Sequence, residues 1–266
     1  MIKELKYSNT NTYLIPCSKG YLLFDTGVAG TFPLFCKTLG EIEISAQDIK
    51  YIMISHFHPD HMGIAQDIAG LGATIIVADV QKEYIHSADA VFKKDSKILF
   101  QPIDDDNVRI VPVTDGRAFL DEIGIKGEIL HTPGHSEDSI SLFLDDGSLL
   151  VGDLNPFYEM AQHKGTRIYD SWKCLLEKNP LKVYYGHGKV TCLTDKLTDN
   201  HHGENKELYF LVKQIMKYID KGKTLEVIQK KTKADKVFIE DVARMYLTHQ
   251  GVGVQGILDR IEIKGK

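Results

Sequence analysis

The chain has 266 residues, 43% of them hydrophobic and 26% charged, with a formal net charge of -5. This is ordinary globular composition at a length that suits one large core plus an appendage. The acidic balance argues against binding nucleic acid through a general excess of positive charge.

The opening reads as short strands and turns: Thr12 to Pro16, a Ser18-Lys19-Gly20 turn, then Tyr21 to Phe24 running into Asp25-Thr26-Gly27. This is a hairpin or meander pattern. Phe32 to Leu39 has helical spacing, and Ile49 to Ser55 is an apolar run short enough for a buried strand. Helical intervals are expected at His61 to Gly70 and Asp79 to Ala90. Further strands are expected at Thr74 to Ala78, Val108 to Val113, Gly127 to His131, Ser139 to Phe143, Ser148 to Val151 and Lys182 to Tyr185. Interleaved strands and helices, with hairpins among them, point to mixed sheets sandwiched by helices.

From about His201 the pattern becomes helical: Leu208, Leu211, Val212, Ile215, Met216 and Ile219 recur at helical spacing and Gly222 is placed to end that helix. Two more helices follow over Thr224 to Lys231 and Asp235 to His249. Residues 201–266 hold 13 Lys+Arg and 9 Asp+Glu, against 19 and 28 in residues 1–200. A mildly basic tail thus follows an acidic body. Such asymmetry is first the solvated face of amphipathic helices. The sharper alternative is that Lys230, Lys231, Lys233 and Lys236 attract an anionic substrate or partner.

Residues 1–15 lack the apolar run of a signal peptide, and no later run approaches the roughly 20 apolar residues of a membrane span. A cytoplasmic protein without membrane contact is the expectation. Cys17, Cys36, Cys174 and Cys192 form no Cys-x-x-Cys pair. They are read as reduced and mostly structural rather than as disulfides or thiolate ligands.

The chemistry concentrates in Ser55-His56-Phe57-His58-Pro59-Asp60-His61, directly after the apolar strand. In an extended segment, period-two spacing sends His56 and His58 to one side. The turn after Pro59 swings Asp60 and His61 toward a neighbouring point. One short loop can therefore feed two metal ions. Imidazole and carboxylate suit zinc, iron(II) and manganese alike.

With this loop the sequence resembles the metallo-β-lactamase superfamily, whose leading signature is a His-x-His-x-Asp-His loop at a strand end. Phe24-Asp25-Thr26-Gly27 is similar to the family's early Asp-x-Gly turn, and Thr132-Pro133-Gly134-His135-Ser136 to its second histidine motif. Gly152-Asp153 is similar to its bridging aspartate, and Tyr185-Gly186-His187-Gly188 to its last histidine. The landmarks keep the family's order across roughly residues 10–190.

The resemblance implies an α/β fold, a four-layer αββα sandwich of two mixed β-sheets flanked by helices. Residues 1–200 would form the metal-binding catalytic domain, and residues 201–266 a helical extension packing near the active-site pocket. It implies that His56, His58 and His135 hold one metal, that Asp60, His61 and His187 hold the other, and that Asp153 bridges both, with Asp25 supporting a ligand. The cofactors would be two divalent transition-metal ions, zinc first, with iron or manganese as alternatives.

The implied activity is that of a metal-dependent hydrolase, in which a bridging hydroxide cleaves a small ester-like substrate, a thioester or lactone. Asp60 and Asp153 are the catalytic carboxylates. A phosphodiesterase on the same dinuclear site and a mononuclear iron dioxygenase of the persulfide-oxidising type stay open as alternatives. Tyr158 and Met160, in the polar aperiodic stretch Asn155 to Lys164, and His131, four residues before His135, are the candidates for contacting substrate. His86, His163, His201, His202 and His249 are read as surface or locally hydrogen-bonded side chains. The expected partner is a small-molecule substrate; nucleic acid and membrane are not expected, and a homodimer stays open.

Overall fold

Strands with apolar side chains on both faces must be covered on both sides, which two sheets packed face to face between two outer helical layers achieve. The computed structural model, which describes residues 1–94, 98–193, 206–248 and 253–264, has this arrangement. The first sheet orders β1 (Lys3–Leu5), β2 (Thr12–Cys17), β3 (Gly20–Phe24), β4 (Ile49–Met53), β5 (Thr74–Ala78) and β6 (Val108–Val111) as they occur in the chain. Its first three strands form an antiparallel meander and β3 to β6 run parallel. Helices α1 (Phe32–Glu41), α2 (Pro59–Met62), α3 (Ala65–Ala69) and α4 (Asp89–Phe92) lie in the crossovers, and α5 (Gly116–Glu122) leads to the second sheet.

The second sheet comprises β7 (Gly127–His131), β8 (Ile140–Leu144), β9 (Ser148–Leu150), β10 (Lys182–Tyr184) and β11 (Thr191–Cys192), again adjacent in chain order. Among the described residues of this sheet only β9 and β10 pair in parallel, joined through α6 (Arg167–Glu177).

Side-chain direction sorts the core into layers. Leu14, Leu23, Ile52 and Ile75 face outward onto Phe35 and Leu39 of α1 and Ile68 of α3. Their neighbours Tyr13, Leu22, Phe24, Met53 and Ile76 face inward onto Ile129, Leu142 and Leu150 of the second sheet. On the far side of that sheet, Phe143, Leu149 and Val183 pack on Trp172 and Leu175 of α6. Each such buried aliphatic contributes on the order of 1.5–3 kcal/mol from area removed from water. A one-residue register slip in any strand would exchange two apolar layers.

The expected helix over His61 to Gly70 is two short helices, interrupted at Gly63. There the backbone presses on the turn after β3: Gly63 N donates to Gly27 O at 2.8 Å, and a Cβ would lie 2.1 Å from Ala29 N. The expected helix over Asp79 to Ala90 is a 3-10 turn, Asp79–Tyr84, followed by α4. Strands β1 and β11, helices α5 and α6 and a 3-10 turn at Phe157–His163 were not expected from the sequence.

The C-terminal region is helical, with α7 (Lys206–Asp220), α8 (Leu225–Thr232), α9 (Lys236–Thr248) and α10 (Val254–Lys264). These helices share an apolar cluster of their own, centred on Val212, Ile215, Ile228, Ile239, Val242, Met245 and Ile257. The expected division between residues 200 and 201 falls outside the described residues. No helix among the described residues is long and apolar enough to cross a membrane. Cys17 and Cys36 are half-buried, whereas Cys174 and Cys192 are exposed, which leaves a packing role for the first two.

Candidate metal centre

Loops leaving strand ends on both sheets meet at one point. The segment after β4 supplies His56, His58, Asp60 and His61, the β7–β8 connection His135, and the loops after β9 and β10 Asp153 and His187. Carboxyl ends of parallel strands are where α/β sheets place ligands. Backbone bonds hold the loops together: Ile140 N donates to Ser55 O at 2.8 Å, Gly186 N to Gly152 O at 2.7 Å and Asn11 N to Gly186 O at 2.7 Å.

Two glycines allow this convergence. A Cβ at Gly152, whose φ is 56°, would lie 2.4 Å from Ser55 Oγ. One at Gly186 would lie 2.7 Å from Asp153 Oδ1 and 2.8 Å from His61 Cε1.

Three groups of facing ligand atoms result: His56 with His58 and His135, His56 with His61 and Asp153, and Asp60 with His61 and His187, the atoms of each within 4.8 Å of one another. His58 Nδ1 is 3.0 Å from His56 Nε2 and 3.1 Å from His135 Nε2. His187 Nε2 is 3.0 Å from Asp60 Oδ2. Asp153 reaches both sides, with Oδ2 3.6 Å from His135 Nε2 and Oδ1 3.5 Å from His187 Nε2.

An outer frame fixes which ring nitrogens face inward. Asp25, held at a φ of 61°, accepts hydrogen bonds from Ser55 N at 2.7 Å, Ser55 Oγ at 2.9 Å and His61 Nδ1 at 2.9 Å. Because the Ser55 hydroxyl donates to Asp25, it can only accept from His56 Nδ1, 3.0 Å away. His187 Nδ1 donates to Asn9 O at 2.8 Å. In all three histidines Nδ1 carries the proton and Nε2 turns a lone pair to the centre, which is how a protein prepares imidazole for a metal.

The set passes a direct test of fit. His61 Nε2 and Asp153 Oδ1 are buried 3.3 Å apart without hydrogen-bond geometry, and neither has a partner. Orphaned buried polar atoms are costly in a folded protein, and a cation between them satisfies both.

Electrostatics point the same way. Burial alone would raise Asp153 and depress His61. Instead His187 and His61 hold the Asp153 carboxyl well below the usual range, and Asp153 and Asp25 hold His61 well above its own. Burial, with His61 beside it, pushes His56 well down, and burial with His58 nearby lowers His135 to about 4. Asp60 is brought to about 2 by His187 and His61 against the effect of burial. His56 and His135 are thereby left neutral, while the proton that the neighbouring carboxylates hold on His61 and His187 is a positive charge that a divalent zinc, iron or manganese ion would replace on binding.

The structure thus brings together all seven residues expected as ligands, with Asp25 behind them. It does not bring His131 to them. That residue is exposed at the end of β7, its Nε2 2.8 Å from Glu137 O. Met160 packs on the Trp172 cluster. The side chain of Tyr158 lies outside the described residues, as do His201, His202 and His249. His86 sits at the surface beside Asp89 and Asp105, while His163 is buried.

Sequence reasoning missed the frame. Asn11 Nδ2 donates to Tyr185 O at 3.1 Å and Gly188 O at 2.9 Å, either side of the His187 turn. Asp138 accepts from Phe57 N at 2.7 Å, and Gln81 Nε2 donates to Ile54 O at 2.9 Å. It also missed Arg260 and Gly256 of α10, which line a pocket with Asp153 and His187.

Among curated proteins, the chain is 28% identical over 200 residues to lactamase-like protein GME11357 of Pestalotiopsis microspora, covering 74% of this chain and 55% of that protein. It is 27% identical over 192 residues to the beta-lactamase-like protein 2 homolog of Drosophila melanogaster, covering 68% and 59%. To an atrochrysone carboxyl ACP thioesterase of Claviceps purpurea it is 27% identical over 192 residues, covering 70% and 53%. It spans little more than half the length of these relatives.

Among solved structures, a metallo-beta-lactamase family protein from Thermus thermophilus superposes with a TM-score of 0.56 at 17% identity, over 99% of this chain and 94% of that one. TTHA1623 in a di-iron-bound form gives 0.51 at 21%, over 70% and 90%. These likenesses bear on the fold, which agrees with the two-sheet sandwich. The family model described as Metallo-beta-lactamase superfamily matches residues 6–187, a span that takes in Asp25, the His56 to His61 loop, His135, Asp153 and His187, and the chain belongs to that superfamily.

Proposed function

We propose that the chain is a metal-dependent hydrolase of a small ester-like substrate, a thioester or lactone. The observation that carries this is the placement of Asp153 between two histidine groups, one oxygen toward each. The resemblance to a protein named as a thioesterase supports the substrate class.

On this reading His56, His58 and His135 hold one divalent ion, Asp60, His61 and His187 a second, with Asp153 shared, and zinc is the first candidate. Such ions, when bound, bring the pKa of water toward neutrality and polarise a carbonyl oxygen. Asp60 and Asp153 stay ionised and offset two of the four positive charges, so the centre keeps a net attraction for a developing oxyanion. Leu154 and Pro156, which line the adjoining pocket, shield one flank from water. In thioester cleavage the acyl C–S bond breaks, water supplies the oxygen of the new C–O bond, and the thiol leaves with a proton.

The test is elemental analysis of protein purified without added metal, followed by assay against acyl thioesters, lactones and phosphodiesters. The expected result is about two ions per chain, falling in His58→Ala, with turnover of a thioester or lactone. Turnover confined to phosphodiesters, or one iron per chain with oxygen uptake on a persulfide, would replace the proposal.

A further inference from the structure

Helix α10 comes to the candidate metal centre and, among its described side chains, brings the charge of Arg260 to it. Gly256 and Arg260, one turn apart, line the same pocket as Asp153 and His187. Gly256 is buried and has no side chain, so the helix lies close to the pocket wall. The approach is fastened: Glu159, in the 3-10 turn that follows Asp153, is buried and accepts from Gly253 N at the start of α10. Its other oxygen accepts from Asn155 Nδ2 at 3.2 Å, and Trp172 Nε1 donates to Asn155 O at 2.8 Å.

Arg260 is under-used where it lies. Nη1 donates to Gly256 O at 3.0 Å, but Nε is buried with no hydrogen-bond partner, and Arg260 forms no ion pair among the described residues. Arginine cannot shed its charge to relieve this, and an unpartnered buried N–H is costly. Beside a centre that is itself net positive with ions bound, a guanidinium with an unused donor gains when an anion joins it.

We propose that Arg260 is the anion anchor of the pocket, binding a carboxylate or phosphate group on the substrate while the scissile carbonyl lies at the metal centre. The inference rests on the hydrolase reading and names its substrate class: an ester-like compound with an oxyanion tail. A planar guanidinium fork matches either oxyanion, and such pairs are among the strong hydrogen bonds.

The experiment uses butanoyl thioesters of mercaptopropionate, mercaptoethyl phosphate and mercaptopropionamide, with the corresponding uncleavable S-butyl thioethers for calorimetry. The full metal-loaded chain is compared with Arg260→Met and Arg260→Lys, metal per chain and circular dichroism being checked first. In Arg260→Met, KM for at least one anionic thioester should rise about tenfold to hundredfold with kcat within about twofold, and the amide should be unaffected. The thioether of that tail should weaken in parallel and Lys should restore part of it, which identifies carboxylate or phosphate as the group recognised.

Equal KM and equal thioether binding in wild type and Arg260→Met would overturn the anchor and leave the hydrolase reading standing. Wild type that cleaves none of the three thioesters would count against the hydrolase reading, and thioether binding would still decide on Arg260.

Discussion

Replacing Asp25 by Asn asks whether the outer frame sets the ligand tautomers. The variant keeps the shape, and Asn tolerates the left-handed backbone that Asp25 adopts, so the change is confined to one acceptor. Asp25 Oδ1 accepts from Ser55 N, and Oδ2 from both Ser55 Oγ and His61 Nδ1. An amide has a single acceptor oxygen, so if that oxygen keeps the Ser55 N bond, the NH2 group faces two donors. The least costly repair is for His61 to move its proton to Nε2 and accept from the amide at Nδ1, which turns an N–H toward the metal position. Losing one charge-assisted hydrogen bond and the ligand tautomer should cost about 2 kcal/mol, or about 30-fold in metal affinity at the Asp60, His61 and His187 group. Competition against a chromophoric chelator reads this directly: the ion at that group should be lost first and His56, His58 and His135 should keep theirs. Two ions bound with wild-type affinity in Asp25→Asn would refute the argument.

Three further outcomes follow from the geometry. Gly186→Ala drives a Cβ against Asp153 Oδ1 and His61 Cε1 and should cost about 1–3 kcal/mol with loss of bound metal, read as metal per chain in protein of unchanged circular dichroism. Asn11→Ala leaves the Gly188 carbonyl without its buried donor, while Tyr185 O keeps the Tyr13 hydroxyl at 2.7 Å, and should lower the unfolding free energy by about 1–3 kcal/mol in a denaturant titration. Chelator-stripped protein should melt lower, and the midpoint should climb with added zinc, since ligand at about 100 times its Kd stabilises by about 2.7 kcal/mol. A midpoint indifferent to zinc would count against a metal centre.

The fold was largely legible because its strands carry apolar residues on both faces: Leu14 against Tyr13 and Ile15, or Ile52 against Met53, reads as a strand buried on both sides. The His56 to His61 loop was legible from its own spacing, whereas His135, Asp153 and His187 were legible through the resemblance to the superfamily's motifs. What stayed hidden was tertiary. Helix α6 fixes Trp172 and Leu175 against the second sheet, yet its stretch, Arg167–Glu177, also carries polar and charged residues that a single sequence does not assign to a face. Asn11 and Gln81 look like surface polar residues until their partners, 174 and 27 residues away, come into place. Met160, expected to contact substrate because its loop follows Asp153, packs partly buried against the Trp172 cluster.

The division of labour between the sheets explains why no contiguous segment contains the site. The first sheet contributes four candidate ligands from one loop after β4, and the second contributes one candidate from each of three loops. Every ligand group except Asp60, His61 and His187 needs Asp153 or His135 from the second sheet, and that exception needs His187. An ion in any of the three groups therefore spans the seam between the sheets. The loop that carries Asp153 is also the one tied through Asn155 and Glu159 to Gly253. The position of α10, and with it Arg260, is thus set by the same segment that sets Asp153, so the Arg260 wall of the pocket and the candidate metal centre are held in one register.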